Sequence, residues 1–565
     1  MAALGAFTFV LHSHLPYVRL AGRWPHGEEW IHEAAIETYI PLLKTLYDLK
    51  DEGIPFRLNI GLTPVLAEQL ADPLVLDHID EYLDHRIAAA QRDMAHFEAP
   101  DTSDAHLRFL AEWYRNLYQS IKTIFHERFG RDLIGAFRRL QDDGYIELFA
   151  SAATHAYLPL LARDSTIRAQ LMMGVRSYER MFGRPPRTVW LPECAYRPAF
   201  YDGQGQLRPG LERFLAQLNL RAFYSETHAI TGGRPVGVAT GGIVGPYASV
   251  SRDYVLPNGS GEVQPETTAT TFNAYYVSDS TAGTDAATHS GVVVIGRNQR
   301  TGQQVWSADQ GYPGDFDYRE FHRKADTSGL QYWRVTGKKV DLGDKDVYRP
   351  DWADNKIDQH AEHYAHLVGD LIRKHNSKTD CYGLVASSYD TELFGHWWSE
   401  GIRWLGKVLR YLAADPQVDL VTTSEYLDAH LPTEVLSVPE SSWGVGGAHY
   451  VWDNDDNRWM WGPIYESETR MATLAERYTT TTADERAVLN QAAREMMLMQ
   501  SSDWQFQVTT GQARDYAIER FQMHQQRFAQ LAAGLETGAP DRALADQFYE
   551  LDKLFPDIDY RWFAS

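Results

Sequence analysis

Cysteine is almost missing from this chain: Cys194 and Cys381 are the only two in 565 residues. No disulfide framework holds the fold, so a reducing compartment suits it and the cytoplasm is the expected location; both thiols read as small buried apolar groups. Basic residues are scarce as well, 54 Lys and Arg against 76 Asp and Glu, which leaves a net charge of −22. That balance argues against a nucleic-acid partner, whose phosphates demand clustered cations. No run approaches the roughly 20 apolar residues of a membrane-spanning helix, so no membrane partner is expected either. The apolar start Ala2–Leu11 lacks a basic lead and a small-residue cleavage site, and reads as a first strand rather than a secretion signal.

Aromatic residues are abundant, 12% with 16 Trp and 31 Tyr. Their flat apolar faces with polar edges suit the stacking of sugar rings, and a neutral polymer needs no field of opposite charge. The length and the 44% hydrophobic content point to one large catalytic domain with an appended domain.

Short apolar runs alternate with longer helical patterns. Residues 5–11, 56–61, 145–151, 188–191, 220–225, 292–296, 382–387 and 418–422 read as buried strands, and the stretches between them as helices. This rhythm predicts an α/β fold, a parallel barrel or a distorted version of one. About 65–140 is too long for one crossover and predicts a helical insertion, with a long helix from His106 to Asp142 stopped by Gly144. Residues 247–290, rich in Ser, Thr, Gly and Tyr with one Arg and no Lys, read as a long irregular excursion. From about 400 onward the pattern turns helical, clearest over 483–500 and 514–535, so the expected division is a catalytic part, 1–400, and a helical C-terminal part, 401–565.

Two carboxylates stand at strand ends. Glu193 follows the run Thr188-Val-Trp-Leu-Pro, and Asp390 follows Ala386-Ser-Ser-Tyr; each leads into aromatic and polar residues rather than a solvated turn. Barrels of parallel strands keep their chemistry at the C-terminal strand ends, and a facing pair of carboxylates is what glycosidic bond cleavage requires. His12 and His14 end the first strand on one side of it, placed to bind a metal or a sugar hydroxyl. His155 and His228 follow other strands and ring the same mouth. His360, His363 and His366 drift off a common helical face and read as solvated residues.

In sequence order, the histidines after strand one, Gly61-Leu-Thr-Pro64, Trp190-Leu-Pro-Glu-Cys-Ala-Tyr196, Ser388-Tyr-Asp-Thr-Glu-Leu-Phe-Gly-His396 and Thr423-Ser-Glu-Tyr426 resemble the five sequence regions of family 57 of the glycoside hydrolases. The likeness is greatest to that family's 1,4-α-glucan branching enzymes, through Val305–Asp315, Ser442-Trp-Gly444 with Trp452, and Ser501-Ser-Asp-Trp504. The resemblance implies an incomplete (β/α)7 barrel with a helical insertion and a mostly α-helical C-terminal domain. It implies an α-glucan substrate, such as amylose, amylopectin or glycogen, and a retaining mechanism without an obligatory metal or other cofactor. Carried over, Glu193 is the expected nucleophile and Asp390 the expected general acid/base. Expected substrate contacts are His12, His14, His155, Trp306, Trp398, Trp443, Trp452, Asp503 and Trp504; Trp24, Trp459 and Trp461 are further stacking candidates. The resemblance also implies a loop that carries a tyrosine over the site; Tyr247, Tyr254, Tyr275 and Tyr276 compete for that role. A monomer or small homo-oligomer is expected.

Other readings stay open at this level. An α-amylase or 4-α-glucanotransferase of the same family would use the same carboxylates with a different acceptor site. A metal-dependent polysaccharide deacetylase or mannosidase would instead be built on His12 and His14, and a non-catalytic glucan-binding protein would need neither.

Overall fold

Runs such as Phe7-Thr-Phe-Val-Leu11 are apolar at every position because strands covered on both faces have no side to offer solvent. The computed structural model, which describes residues 3–232, 269–279, 289–307 and 311–564, makes strands of them. In chain order these are β1 (Gly5–Ser13), β2 (Leu58–Leu62), β3 (Ile146–Ser151), β4 (Thr188–Trp190), β5 (Ala222–Ser225), β6 (Ala274–Ser278), β7 (His289–Gly296), β8 (Gly383–Asp390) and β9 (Val418–Leu420). The first three are buried from end to end.

The sheet runs β8-β1-β2-β3-β4-β5-β7, seven strands all parallel to their neighbours. Between its ends the ring is joined by a single bridge, Arg297 to Ala386. It is an incomplete (β/α)7 barrel. β6 pairs antiparallel with β7, and β9 lies against the first residues of β1. Four helices, Pro64–Ala71, Pro73–His96, Ala105–Thr123 and Leu133–Asp142, fill the expected insertion between β2 and β3. The expected continuous helix from His106 to Asp142 is broken where Gly130 and Arg131 take left-handed backbone, φ 60° and 61°.

Two further expectations are corrected. The excursion over 247–290 contains β6, whose Ala-Tyr-Tyr-Val-Ser supplies a buried strand that the surrounding Ser and Thr disguise. Tyr275 and Tyr276 are therefore fixed in the sheet, Tyr275 exchanging hydrogen bonds with the backbone of Thr270 and Tyr276 stacking on His289. Tyr247 and Tyr254 lie outside the described residues. Cys194 is buried but Cys381 is exposed. On the helix Pro350–Thr379 His363 and His366 are exposed, as expected, and His360 is half-buried; the hydroxyls of Tyr318 and Tyr312 reach Nδ1 of His360 and His363 at 2.8 and 2.6 Å.

Beyond residue 401 the chain first completes the barrel, since helix Gly401–Ala413 leads into β9. The helices of the C-terminal part follow, Trp461–Arg477, Ala483–Met499, Ser502–Thr510, Arg514–Glu536 and Arg542–Leu551. They pack on the barrel through one continuous core that joins Tyr157, Leu158, Met173 and Leu191 to Trp452, Met497, Phe521 and Leu535.

Candidate active site

Asp390 is the last residue of β8, and Glu193 lies in a single turn, Pro192–Cys194, just past β4. Both therefore stand at the C-terminal face of the barrel. Glu193 and Cys194 adopt left-handed backbone, φ 60° and 49°, as does His155 at 57°. For residues with a Cβ this costs roughly 1–3 kcal/mol each, strain that recurs where a side chain must be aimed. Here the N–H groups of Cys194, Ala195 and Trp443 hold the turn by donating to Leu191, Pro192 and Glu193 carbonyls.

Glu193 is fully engaged. Its Oε2 accepts from Trp443 Nε1 at 2.7 Å, and its Oε1 accepts from Ser502 Oγ at 3.0 Å. His155 Nδ1 lies 3.7 Å from Oε1 and 3.0 Å from the same serine hydroxyl. Burial pushes the carboxyl up to about 7, against the pull of the Trp443 bond.

Three imidazoles form a row beside it. His12 and His155 meet through their Nε2 atoms at 3.1 Å, and the His14 ring stacks on His155 with centroids 3.8 Å apart. Trp190 backs the row, its ring 4.7 Å from that of His12 and nearly parallel. Burial holds His12 and His155 well below the usual histidine range, so both are neutral near pH 7. Burial also opposes a charge on His14, yet Asp503 overrides it and raises that pKa. Nε2 of His14 lies 3.0 and 3.1 Å from the two carboxylate oxygens of Asp503, and Nδ1 lies 3.0 Å from Thr63 Oγ1.

Asp390 is paired in register with His12 across β1 and β8. Among the described residues its carboxyl forms no hydrogen bond. Burial raises it to about 6, with the charges of Arg297 and His14 pulling the other way. Two residues on, Glu392 accepts from the Tyr39 hydroxyl and, at 3.2 Å, from the backbone N–H of His14. Burial lifts this third carboxyl to about 7. Arg297, at the closing bridge, pairs with Glu226 at 2.5 Å.

The expected site residues thus divide. Glu193, His12, His14, His155, Trp443 and Asp503 form one bonded cluster, with Asp390 opposite in register. Trp398, Trp452 and Trp504, at 1, 1 and 0% exposure, offer no face to a sugar. Trp398 packs among Tyr318, Phe394 and Trp404; Trp452 stacks on Tyr157; Trp504 lies in the C-terminal core under Arg520. Trp306 is half-buried against the barrel core, Trp461 is buried, and Trp24 and Trp459 are exposed. His228 is partly buried on the short helix Thr227–Thr231, outside the bonded row. Tyr39, Thr63, Trp190, Ser502, Glu392 and Arg297 complete the surroundings without having stood out. Ser502, Trp190 and Glu392 lie inside motifs already picked out, whereas Tyr39 sits in an ordinary helical stretch and carries no signal.

The metal reading of the histidine row loses support here. Both ring nitrogens of His14 are engaged, by Asp503 and Thr63, and the His12 Nε2 is turned toward His155, an arrangement of hydrogen bonds rather than of converging metal ligands.

Known proteins resemble this chain along most of its length. The profile of glycosyl hydrolase family 57 matches residues 8–439, and that of the 1,4-alpha-glucan branching enzyme C-terminal domain matches 463–563. A 1,4-alpha-glucan branching enzyme of Thermococcus kodakarensis is 41% identical over 98% of this chain and 78% of its own. A probable 1,4-alpha-glucan branching enzyme of Mycobacterium tuberculosis is 29% identical over 99% and 98%. Among solved structures, a family 57 branching enzyme from Thermococcus kodakaraensis, in complex with glucose and additives, superposes with a TM-score of 0.87 at 39% identity over 100% of this chain and 97% of that one. The alpha-amylase AmyC of Thermotoga maritima superposes with a TM-score of 0.80 at 28% identity, covering 99% of each chain. With a barrel of seven parallel strands, a carboxylate at the end of two of them and this match over most of its length, the chain belongs to glycosyl hydrolase family 57.

Proposed function

We propose that Glu193 and Asp390 carry out a retaining double displacement on α-1,4-glucan and that the chain is a 1,4-α-glucan branching enzyme. Glu193 attacks the anomeric carbon while Asp390 gives its proton to the departing glycosidic oxygen. The aglycone leaves, and Asp390, now ionised, takes a proton from the 6-hydroxyl of an acceptor glucan as that oxygen displaces Glu193. An α-1,6 branch results, and water in place of the acceptor gives hydrolysis. The observation that carries the roles is the contrast between the two carboxyls: two donors fix the orientation of Glu193, as an attacking group needs, while Asp390 is left open toward a leaving oxygen.

In the free protein Glu193 holds its proton more tightly than Asp390, about 7 against about 6, the reverse of the order these roles ask for. Position decides the assignment. Positive charge that develops at the anomeric carbon favours the Glu193 carboxylate once substrate is bound. Of the three imidazoles only His12 keeps an unpaired ring nitrogen, Nδ1, for a sugar hydroxyl; His14 and His155 are held by Asp503, Thr63, Ser502 and His12 and fix the row between the carboxyls. Trp443 presents its partly open ring beside them, and the helical C-terminal part, which we take to begin after residue 430, completes the site through Trp443, Ser502 and Asp503.

Branching is favoured over hydrolysis by the match to a branching-enzyme C-terminal domain in the part that touches Glu193. We assign the protein to the cytoplasm on its two unpaired cysteines. The test is to incubate the protein with amylose, debranch the product enzymatically and size the released chains. Short chains that appear only after debranching support the proposal; shortened linear glucan without α-1,6 linkages would leave an amylase or 4-α-glucanotransferase.

A further inference from the structure

Away from the carboxylates lies a second enclosed set of ligating groups. Glu28, His32 and His78 are all buried, and one ligand atom from each lies within 4.8 Å of the others. Glu28 and His32 are one helical turn apart at the start of the helix Glu29–Ala34, and His78 comes across from the helix Pro73–His96. Glu28 Oε2 stands 2.6 Å from His78 Nδ1 and 3.8 Å from His32 Nε2. His32 is 4% exposed, yet this Nε2 has no hydrogen-bond partner. A buried nitrogen left unpaired in this way is costly, and one aimed at a carboxylate and a second imidazole asks for a shared cation.

We propose that Glu28, His32 and His78 bind one divalent transition-metal ion, zinc by donor preference, as a structural site. Two imidazoles and a carboxylate are a donor set that zinc accepts. Bonds of about 2.0–2.1 Å in a tetrahedron put ligand atoms about 3.3 Å apart, so the 2.6 Å contact must open and the 3.8 Å one close, each by under about 1 Å, while the two imidazole nitrogens, which lie within 4.8 Å, settle to the same spacing and water takes the fourth position. Displacement of the proton shared by Glu28 and His78 accompanies binding. The carboxylate is already oriented, because its Oε1 accepts from the backbone N–H of Leu20 at 2.7 Å.

A comparison inside the same molecule sharpens the choice. Glu495, His524 and Asp552 are equally enclosed, but Arg527 pairs with Asp552 and Arg520 bonds His524, so cations already occupy that cluster's charge. In the first cluster the cation that acts on His32 is Arg23, which is mostly exposed and pairs with Glu81 instead.

The position suggests what the ion does. Residues 19–28 are held to the C-terminal part by Arg19, which donates to the Glu550 carbonyl at 2.6 Å, and by the Tyr516 hydroxyl, which donates to the Ala21 carbonyl at 3.0 Å. An ion on Glu28 would clamp that segment to the helical insertion and tie three parts of the chain at one seam. It takes no part in the glucan chemistry.

The full-length protein, stripped with chelator and dialysed, is titrated with zinc and assayed by mass spectrometry for bound metal; cobalt(II) then serves as a visible probe. About one equivalent per chain is expected, with tetrahedral cobalt absorption. The His32→Gln and His78→Gln proteins should take up none, and only the wild type should lose melting temperature on chelation and regain it with zinc. Wild-type protein that shows no saturable uptake, or binds no more than His32→Gln, overturns the proposal. The wild-type titration decides the matter even where a variant fails to fold.

Discussion

Trp443 bonds Glu193 twice, its indole Nε1 to the side-chain Oε2 at 2.7 Å and its backbone N–H to the Glu193 carbonyl at 3.0 Å. One residue 250 positions downstream thereby holds both the main chain and the carboxylate of a turn that is itself left-handed at Glu193 and Cys194. The barrel supplies the strand end, and the C-terminal part decides where the carboxylate points.

Trp443→Phe keeps the apolar face against Trp190 but removes the donor. A hydrogen bond to a charged group is worth about 1.5–3 kcal/mol, so kcat/KM should fall by roughly 10- to 100-fold. Melting temperature should change little. Activity within a factor of two of wild type would show that the indole does not orient Glu193.

The pH profile carries a finer test. Turnover needs Glu193 ionised and Asp390 protonated, and with values of about 7 and about 6 the plateau of kcat/KM lies between them. In that order Asp390 sets the acid limb and Glu193 the alkaline limb. Loss of the Trp443 bond raises Glu193 further, so in Trp443→Phe the alkaline limb should move to higher pH while the acid limb stays. A shift of the acid limb instead would mean that the two proton affinities stand in the opposite order.

Glu193→Gln and Asp390→Asn should each lower turnover by about three or more orders of magnitude. Neither should destabilise the fold. A buried carboxyl whose folded pKa is raised, from 4.5 to about 7 for Glu193, favours the folded state fully below pH 4.5, and that contribution is lost as pH rises through 7. Gln carries no such loss. Thermal melts at pH 5 and pH 8 should show Glu193→Gln gaining relative to wild type at the higher pH, by up to about 3 kcal/mol. A relative loss at pH 8 would contradict the burial argument. Azide separates the roles: it should rescue Glu193→Ala with an inverted glycosyl azide and the Asp390→Ala protein with retained configuration.

The parts of this architecture that read plainly from sequence are those where burial leaves no choice. Val10, Ile60 and Val189 lie in strands covered on both faces, so their segments are apolar throughout. β6 hid because five residues between Ser- and Thr-rich stretches carry too short a pattern. In the site, Glu193 and Asp390 stood out because a carboxylate closing an apolar run has little structural use. The tryptophans did not sort themselves. Trp397 and Trp398 are adjacent, yet the first is half-buried and the second has 1% exposure, since a one-residue step turns the ring toward Trp404. Tyr39 reaches Glu392 from 353 positions away, a contact that only the folded chain creates.

Chelation should leave glucan turnover intact at temperatures well below melting, because the histidines beside Glu193 are engaged in hydrogen bonds to Asp503, Thr63, Ser502 and one another. Asp503→Asn removes the charge that raises His14, whose pKa should then fall toward those of His12 and His155. KM should rise and kcat/KM fall by about tenfold, with no response to added zinc. Restoration of activity by zinc in either protein would revive a metal-dependent reaction.

The shared core sets the final expectation. A chain ended after residue 430 loses Trp443, Ser502 and Asp503 from the site and uncovers Tyr157, Leu158, Met173 and Leu191, which pack against Trp452, Met497, Phe521 and Leu535 in the whole protein. An apolar face of that kind drives aggregation. Left-handed Glu193 would also lose the Trp443 bonds that hold its turn. The truncated barrel should therefore be insoluble or, if refolded, should bind a hydrophobic dye and show no glucan turnover. A soluble, monomeric and active barrel would prove instead that the C-terminal part is an independent accessory and that the carboxylate is aimed by the barrel alone.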